Sequence, residues 1–216
     1  MKLICGIDDA GRGPVIGPMI IAGIIIEERE IEKLKEIGVK DSKLLSPKQR
    51  EEIYKKIIKL VKDYKIIKIP PKEIDAAILS GRTNLNWLEA DHMAEIINYL
   101  KPEKTIVDCP SNNISKFSRY MESKINVNTS LKCDHKAERF YPVGAASILA
   151  KVTRDGEIEK IQKMIPYELG SGYPSDPITK KFLKEHGDKY PDIFRKTWST
   201  YINHKEAKKQ KSLKDF

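Results

Sequence analysis

The stretch GIDDAGRGPVIGP, residues 6–18, places two adjacent carboxylates at the end of an apolar run, followed by a glycine-arginine-glycine turn. Two further aspartates, Asp108 and Asp134, end the predicted strands KTIVD and KINVNTSLKCD. One carboxylate at a strand end is more often a turn former or a helix N-cap than a ligand. Three strands that each deliver acids to the same relative place instead predict a cluster of Asp8, Asp9, Asp108 and Asp134.

The pair Asp8 and Asp9 sets a condition on the backbone, because successive residues of a regular strand point to opposite faces. We therefore expect the chain to leave strand geometry at the pair, with Gly11 and Gly13 permitting the departure. Once together, the carboxylates raise each other's pKa unless a cation neutralises them. Oxygen ligands without a nearby histidine cluster favour Mg²⁺ or Mn²⁺, and two such ions suit phosphodiester hydrolysis.

Apolar periodicity and turn residues predict the elements that position these acids, in a mixed α/β sheet with helices packed on it. The predicted strands are 3–8, 15–27, 65–70, 104–110 and 124–134, of which the first two are antiparallel neighbours. A helix is predicted to start at Ser46-Pro47, and further helices cover 85–100, 112–123, 142–164, 176–187 and 191–208. In helix 142–164, Ser147 and Lys151 lie on a different face from the apolar residues.

The charge distribution predicts a polyanionic partner. The 216 residues carry a formal net charge of +9, and residues 175–216 alone carry +5. A basic face beside an acidic cluster is what binding phosphates requires. Composition alone leaves a second reading open, because lysine- and glutamate-rich surfaces are also typical of thermophile proteins. We predict a catalytic domain over residues 1–174 and a helical, basic extension over 175–216.

Targeting and redox features favour a soluble, cytoplasmic protein. The first residues, MKLICGIDD, reach acids before a signal-peptide hydrophobic region forms, and no apolar stretch approaches the roughly 20 residues that span a bilayer. Three scattered cysteines do not make a disulfide framework or a zinc-type pair. No membrane partner is expected.

Several motifs in order carry a resemblance to a known family. GIDDAGRGPVIGP, KDSKLL, VDCP, KCDHKAERFYPVGAASILAKVTRD and SGYPSDPIT, with FRKTWST as a weaker match, resemble the motifs of archaeal-type ribonuclease HII. The resemblance implies a ribonuclease H-like fold and hydrolysis of the RNA strand of RNA/DNA hybrids. It also implies cleavage 5′ to ribonucleotides embedded in duplex DNA, with two Mn²⁺ or Mg²⁺ ions and products that carry 3′-OH and 5′-phosphate. A monomer with a role in DNA replication and repair is expected, and contact with a sliding clamp is left open.

The resemblance also assigns roles to residues. It implies that Asp8, Asp9, Asp108 and Asp134 are the metal-binding and catalytic carboxylates, although the family commonly has glutamate where this chain has Asp9. The substrate-binding residues it implies are Gly11, Arg12 and Gly13 for the ribose 2′-OH, Tyr173 for the RNA-to-DNA junction, and Lys43, Ser147 and Lys151 for phosphates.

Two rival functions are compatible with the same residues. Another two-metal nuclease of this broad fold, such as a Holliday-junction resolvase, would share the acids but need no ribose. A basic nucleic-acid-binding protein would use the acids only to cap turns, and its binding would not depend on Mg²⁺.

Overall fold

The computed structural model describes residues 2–40 and 42–214, apart from the side chains of residues 43, 209 and 211–214. Its strands are β1 (Leu3–Ala10), β2 (Met19–Glu27), β3 (Asp63–Ile69), β4 (Lys104–Asp108) and β5 (Ser130–Asp134). Its helices are α1 (Ile31–Glu36), α2 (Pro47–Leu60), α3 (Pro71–Leu79), α4 (Leu85–Leu100), α5 (Ile114–Glu122), α6 (Tyr141–Met164), α7 (Pro177–His186) and α8 (Ser199–Lys214). Within these residues no helix is both long enough and apolar enough to cross a bilayer.

The strands form one mixed sheet in the order β3-β2-β1-β4-β5, which confirms the mixed α/β prediction. β1 pairs antiparallel with β2, as predicted, and parallel with β4, which in turn pairs parallel with β5. Parallel neighbours end at the same edge of a sheet. The ends of β1 and β4 therefore bring their acidic residues to one place in the middle of the sheet.

Helices cover both faces of the sheet. α6, α1 and α2 pack on the face that carries Ile20, Ala22 and Ile24. α3, α4 and α5 pack on the opposite face, which carries Cys5 and Ile7. β2 is therefore buried on both sides, which accounts for its continuous run of isoleucine.

α6 lies unusually close to the central strand. A Cβ on Gly6 would lie 2.1 Å from the carbonyl carbon of Pro142 at the start of α6. Only glycine permits this approach. The close contact brings the second turn of α6, with Ser147, alongside the acidic end of β1.

The C-terminal region shares a core with the start of the chain. Val15 and Ile16 pack in one buried cluster with Phe182, Phe194 and Tyr201. The predicted boundary at residue 174 stays a prediction, but the buried apolar side chains continue across it.

The predicted helix over 191–208 is wrong in its first half. The chain has a 3-10 turn at Pro191–Ile193, and α8 begins only at Ser199. The backbone between them is tied to the N-terminal region: Phe194 forms a bridge with Ile16, and the amide of Arg195 donates to the carbonyl of Val15 at 2.9 Å. These long-range hydrogen bonds replace the helical ones.

Other boundaries differ from the predictions for local reasons. β2 begins at Met19 rather than at residue 15, because residues 15 and 16 join the C-terminal cluster instead. β5 begins at Ser130 rather than at 124. α3 was not predicted, although Pro71 occupies its first turn, where proline is favoured.

Candidate active site

A cavity of about 300 Å³ opens where β1 and β4 end. Most of the predicted site residues line it, together with Ser42 and Glu138. The predicted residues that line it are Asp8, Asp9, Gly11, Arg12, Gly13, Asp108, Ser147, Lys151 and Tyr173. Asp134 is not part of the lining, and the side chain of Lys43 lies outside the described part of the chain.

Asp8 and Asp9 reach this cavity while remaining in a regular strand. The ladder with β2 continues through Asp8, Asp9 and Ala10, so the expected departure from strand geometry at the pair is wrong. The turn comes one residue later, at Gly11, where φ is +80°. Asp8 faces α6 and Asp9 faces α4, and both line the cavity because they stand at the end of the strand.

The Asp8 carboxylate is buried among other acids. It accepts hydrogen bonds from the amide of Asp9, at 2.7 Å, and from the hydroxyl of Ser147. Burial raises the pKa of Asp8 well above its ordinary value, and the charges of Asp9 and Asp108 raise it further. Such a cluster of like charges favours a bound cation.

Asp108 is joined to the turn that carries Glu138. Its Oδ1 accepts a hydrogen bond from the amide of Ala137 at 2.7 Å, in the 3-10 turn Ala137–Arg139. Glu138, the next residue of that turn, lines the cavity. Glu138 is therefore a further acidic residue in the lining of this cavity.

Asp134 is engaged elsewhere, although its Cα is in register with that of Asp108. Its carboxylate is paired with Arg139, and Lys132 lies 3.6 Å from it. Partial burial acts in the opposite direction, but the charges of Arg139 and Lys132 lower the pKa of Asp134. The structure thus brings three of the four predicted acids together and leaves Asp134 in a surface ion pair.

The glycine-arginine-glycine turn follows β1 and forms one wall of the cavity. Arg12 turns its guanidinium toward α4, where Nε contacts the buried Glu89 at 2.9 Å and a terminal nitrogen donates to Asn86 at 2.6 Å. Burial and the charge of Asp9 raise the pKa of Glu89, while Arg12 opposes this shift. In this structure, the Arg12 side chain holds the loop to α4.

Tyr173 stands opposite the loop and is 39% exposed. A Cβ on Gly13 would lie 3.7 Å from the tyrosine ring, so a side chain there would narrow the gap between loop and ring. The guanidinium of the buried Arg154 lies 5.4 Å from the centre of the ring. The ring of Tyr173 therefore packs against Arg154 and is also accessible from the cavity.

α6 contributes Ser147 and Lys151 to the cavity. The hydroxyls of Ser147 and Ser42 lie 3.0 Å apart, and Lys151 pairs with Asp155 at 2.7 Å. Both predicted α6 residues thus face the acids, one as a hydrogen-bonding hydroxyl and the other as a cation.

Sequence reasoning missed Glu138, Glu89 and Arg195. Glu138 lies only four residues after Asp134 in the same motif. The sequence spacing therefore did not show which of the two residues lines the cavity. Glu89 falls within an apolar helical pattern in which a charged residue is unexpected, and that was the available signal. Arg195 lies in FRKTWST, the weaker of the family motifs, but its polar surroundings in the sequence did not indicate that it is buried.

The acidic residues fit a divalent cation of the magnesium type. In the described residues, no group of three or more His, Cys, Asp or Glu side chains is close enough to hold a metal by itself. Mg²⁺ is usually bound through one or two carboxylates, with water and substrate phosphate completing its shell. The donor set is all oxygen, which agrees with that mode and not with zinc.

Comparison with known proteins identifies the family. The family model described as "Ribonuclease HII" matches residues 5–201. The ribonuclease HII of Thermococcus sibiricus is 46% identical over 202 residues, which cover 90% of this chain and 88% of that protein.

Solved structures agree with this relationship. The Pyrococcus horikoshii ribonuclease H2 structure has a TM-score of 0.87 at 42% identity, covering 95% of this chain and 98% of the other. The ribonuclease HII in the PCNA complex from Archaeoglobus fulgidus has a TM-score of 0.82 at 37% identity, covering 91% and 95%. Bst-RNase HIII, solved with Mn²⁺, shares the fold at a TM-score of 0.79 and 20% identity, covering 97% and 71%.

These matches confirm the predicted ribonuclease H-like fold. The ribonuclease HII and H2 matches cover about nine tenths or more of this chain and of each relative, so they include the cavity and the residues around it. The chain therefore belongs to the ribonuclease HII family and is a hydrolase of the ribonuclease H type.

Proposed function

We propose that the chain hydrolyses the RNA strand of RNA/DNA hybrids and cuts 5′ to ribonucleotides embedded in duplex DNA, leaving 3′-OH and 5′-phosphate ends. The observation that carries this proposal is that one cavity is lined both by Asp8, Asp9 and Asp108 and by the Gly11–Gly13 loop and Tyr173. Acids suited to phosphodiester chemistry thus lie within a nucleotide's reach of groups suited to reading a ribose.

The carboxylates supply the catalytic part of the site. Asp8, Asp9 and Asp108 would hold divalent ions, Mg²⁺ or Mn²⁺. The two candidates for the fourth position are Glu138, which lines the same cavity, and Asp134, which the resemblance implies. When bound, such ions lower the pKa of water and stabilise charge on a departing oxygen. The Ser147 hydroxyl keeps the Asp8 carboxylate oriented, and the amide of Ala137 does the same for Asp108.

The remaining residues position the substrate. The backbone of the Gly11–Gly13 loop contacts the ribose 2′ oxygen, which distinguishes RNA from DNA. The ring of Tyr173 stacks on the sugar or base of the following deoxynucleotide. Lys151 lies near the acids and balances a substrate phosphate, and we assign the same role to Lys43.

The test is cleavage of a DNA duplex that contains one ribonucleotide, with Mg²⁺ or Mn²⁺ present and products resolved to the nucleotide. We expect a single cut on the 5′ side of the ribonucleotide and no cut in an all-DNA duplex of the same sequence. Equal cleavage of both duplexes would favour the resolvase type of nuclease. Binding without cleavage, insensitive to Mg²⁺, would favour the binding protein.

We also propose contact with a sliding clamp, because the Archaeoglobus fulgidus relative was solved in complex with PCNA. The segment QKSLKDF, residues 210–216, offers two apolar side chains, Leu213 and Phe216, in a lysine-rich context. Removal of residues 210–216 should abolish co-elution with purified PCNA while cleavage of short duplexes continues. Co-elution that survives this removal would rule out the segment as the contact.

A further inference from the structure

The carbonyl groups of the Gly11–Gly13 loop are held by a segment almost two hundred residues away in the sequence. The guanidinium of Arg195 donates to the carbonyl oxygens of Gly11 at 2.6 Å, Arg12 at 2.8 Å and Gly17 at 3.0 Å. The indole Nε1 of Trp198 donates to the carbonyl of Gly13 at 3.2 Å. Each carbonyl of the loop thus accepts a hydrogen bond from residues 195–198.

The position of residues 195–198 does not depend on the loop alone. The carboxylate of Asp75, in α3, accepts hydrogen bonds from the amides of Lys196 and Thr197 at 2.8 and 3.0 Å, and from the Thr197 hydroxyl at 2.6 Å. The amide of Arg195 donates to Val15. α3 and the chain that follows the loop at Val15 therefore fix this segment, and the segment in turn fixes the loop.

Arg195 is fully buried, which is costly for a charged group unless its donors are satisfied. Burial, aided by the charge of Arg154, lowers the pKa of Arg195 to about 10, so the guanidinium is still charged at neutral pH. Lysine cannot replace it well, because a planar guanidinium presents several donors in a fixed geometry and an ammonium does not. Three backbone carbonyls therefore depend on the shape of this one side chain.

The orientation of the carbonyls decides which groups the loop offers to a ligand. In a trans peptide the N–H points opposite to the C=O. With the carbonyls of Gly11 and Arg12 turned to Arg195, the amides of Arg12 and Gly13 point to the other side of the loop. The cavity is lined by the loop and not by Arg195, so that other side is the one open to a ligand.

We propose that Arg195, assisted by Trp198, is a positioning residue for ribose recognition: it holds the Gly11–Gly13 loop so that backbone N–H donors meet the 2′ oxygen of the substrate. This inference rests on the proposed function. It predicts that loss of the Arg195 contacts weakens recognition of the ribonucleotide more than it slows the chemical step, since the acids stay in place.

Three variants test this inference, each assayed on the duplex with one ribonucleotide. Arg195→Lys keeps the charge and loses the planar donors, and Trp198→Phe keeps an aromatic ring and loses one donor. Met121→Ala is the control, because Met121 lies on the buried face of α5 in the core and lines neither the loop nor the cavity. The measurements are KM, kcat, the melting temperature, and amide hydrogen exchange of residues 10–13.

We expect KM to rise roughly tenfold or more in Arg195→Lys and about threefold in Trp198→Phe, with kcat within about threefold of the unmodified protein. Exchange of the loop amides should accelerate in both variants and not in Met121→Ala. If Met121→Ala raises KM equally, or if neither loop variant changes KM or exchange, the inference is overturned. If Arg195→Lys does not fold, the KM and the amide exchange of Trp198→Phe alone test the inference. An unmodified protein with no preference for the ribonucleotide would instead overturn the proposed function.

Discussion

At the scale of the residue, the clustered carboxylates of Asp8, Asp9 and Asp108 lower the stability of the folded state because their charges repel one another. The pKa of Asp8 is raised by burial and by its acidic neighbours, so keeping it ionised costs free energy at neutral pH. A group whose folded pKa is raised contributes stability at low pH and loses it as the pH rises. The cluster is thus a site where function and stability conflict.

Asp8→Asn makes this conflict measurable. The amide retains an acceptor for the amide of Asp9 and removes one of the repelling charges, so the melting temperature in EDTA should rise by about 2–4 °C at pH 7. Cleavage should fall by about 100-fold or more, because a cation would lose a ligand. Calorimetry and the single-ribonucleotide assay give both values. A lower melting temperature in EDTA would contradict the electrostatic argument.

The fourth acid is decided by comparing Glu138→Gln with Asp134→Asn. Glu138 lines the cavity, whereas Asp134 is paired with Arg139 and Lys132. We expect Glu138→Gln to lower kcat by about 100-fold and Asp134→Asn by less than about tenfold. Equal melting temperatures would show that the difference is catalytic. The reverse order of effects would restore Asp134 to the site.

Asp176 tests the turn that carries Tyr173. Its carboxylate caps α7 through the amide of Ile178 and accepts two hydrogen bonds from Ser171. The hydrogen bonds from the amide and hydroxyl of Ser171 are the main reason that the pKa of Asp176 is lowered to about 2. A group with a lowered folded pKa stabilises above its unfolded value of about 4, and this stability is lost as the pH falls toward 2.

Asp176→Ala should therefore lower the free energy of unfolding by about 1 kcal/mol at pH 7, with the difference shrinking between about pH 4 and pH 2. Denaturant melts at several pH values give this difference. Asp192→Ala, at a carboxylate that is 98% exposed, is the matched control and should change stability little at any pH. A pH-independent effect of Asp176→Ala would show that the charge is not involved.

At the scale of the element, the contact between β1 and α6 places the acids and Ser147 together. Gly6→Ala would put a methyl group into the backbone of Pro142, so we expect a loss of about 3 kcal/mol or more and partial loss of cleavage. A Cβ on Gly156, in α6, would meet no atom within 4 Å, so Gly156→Ala should raise the free energy of unfolding by up to about 1 kcal/mol. Chemical denaturation distinguishes them, and equal effects would refute the close-packing argument.

Elements with strong local patterns were predicted well. α4 and α6 have apolar residues at helical spacing, and their predicted bounds agree with the structure to within one residue. Residues 194–198 fall within the helix predicted over 191–208. Their actual path is set by hydrogen bonds to Val15 and Asp75, more than a hundred residues away in sequence. Local propensity does not register such partners.

At the scale of the whole molecule, the excess positive charge is concentrated in residues 175–216. Removing this region should weaken substrate binding and flatten its salt dependence. It would also remove Phe182 and Phe194 from the core that they share with Val15 and Ile16. Truncation therefore confounds charge with folding, and substitution of surface lysines is the sharper experiment.

Lys180→Gln with Lys184→Gln tests the charge alone. Both side chains lie on α7 beside a groove of about 590 Å³ between α7 and α8. If both contact phosphates, the slope of log K against log salt should become shallower by about 1 to 2, with an unchanged melting temperature. Lys55→Gln with Lys56→Gln, on α2, is the control of equal charge. If both double variants give the same slope of log K against log salt, the α7 lysines do not contact substrate phosphates more than the α2 lysines do.

The sequence by itself determined the chemistry available to this protein: adjacent acids after an apolar strand, a glycine-arginine-glycine turn, a basic C-terminal region and a mixed α/β sheet. These features depend on residue type and on short-range periodicity, which a linear chain displays directly. The motifs in their order also determined the family, which the comparisons confirmed.

Only the tertiary structure decided which acids meet. Asp134 and Glu138 are four residues apart, and the path of one 3-10 turn places Glu138 at the cavity and leaves Asp134 with Arg139. It also decided that Arg195 holds the loop after β1, through contacts that span more than 180 residues. The physical reason is the same in both cases: hydrogen bonds and ion pairs are made in space, and their energies depend on distances that sequence separation does not contain.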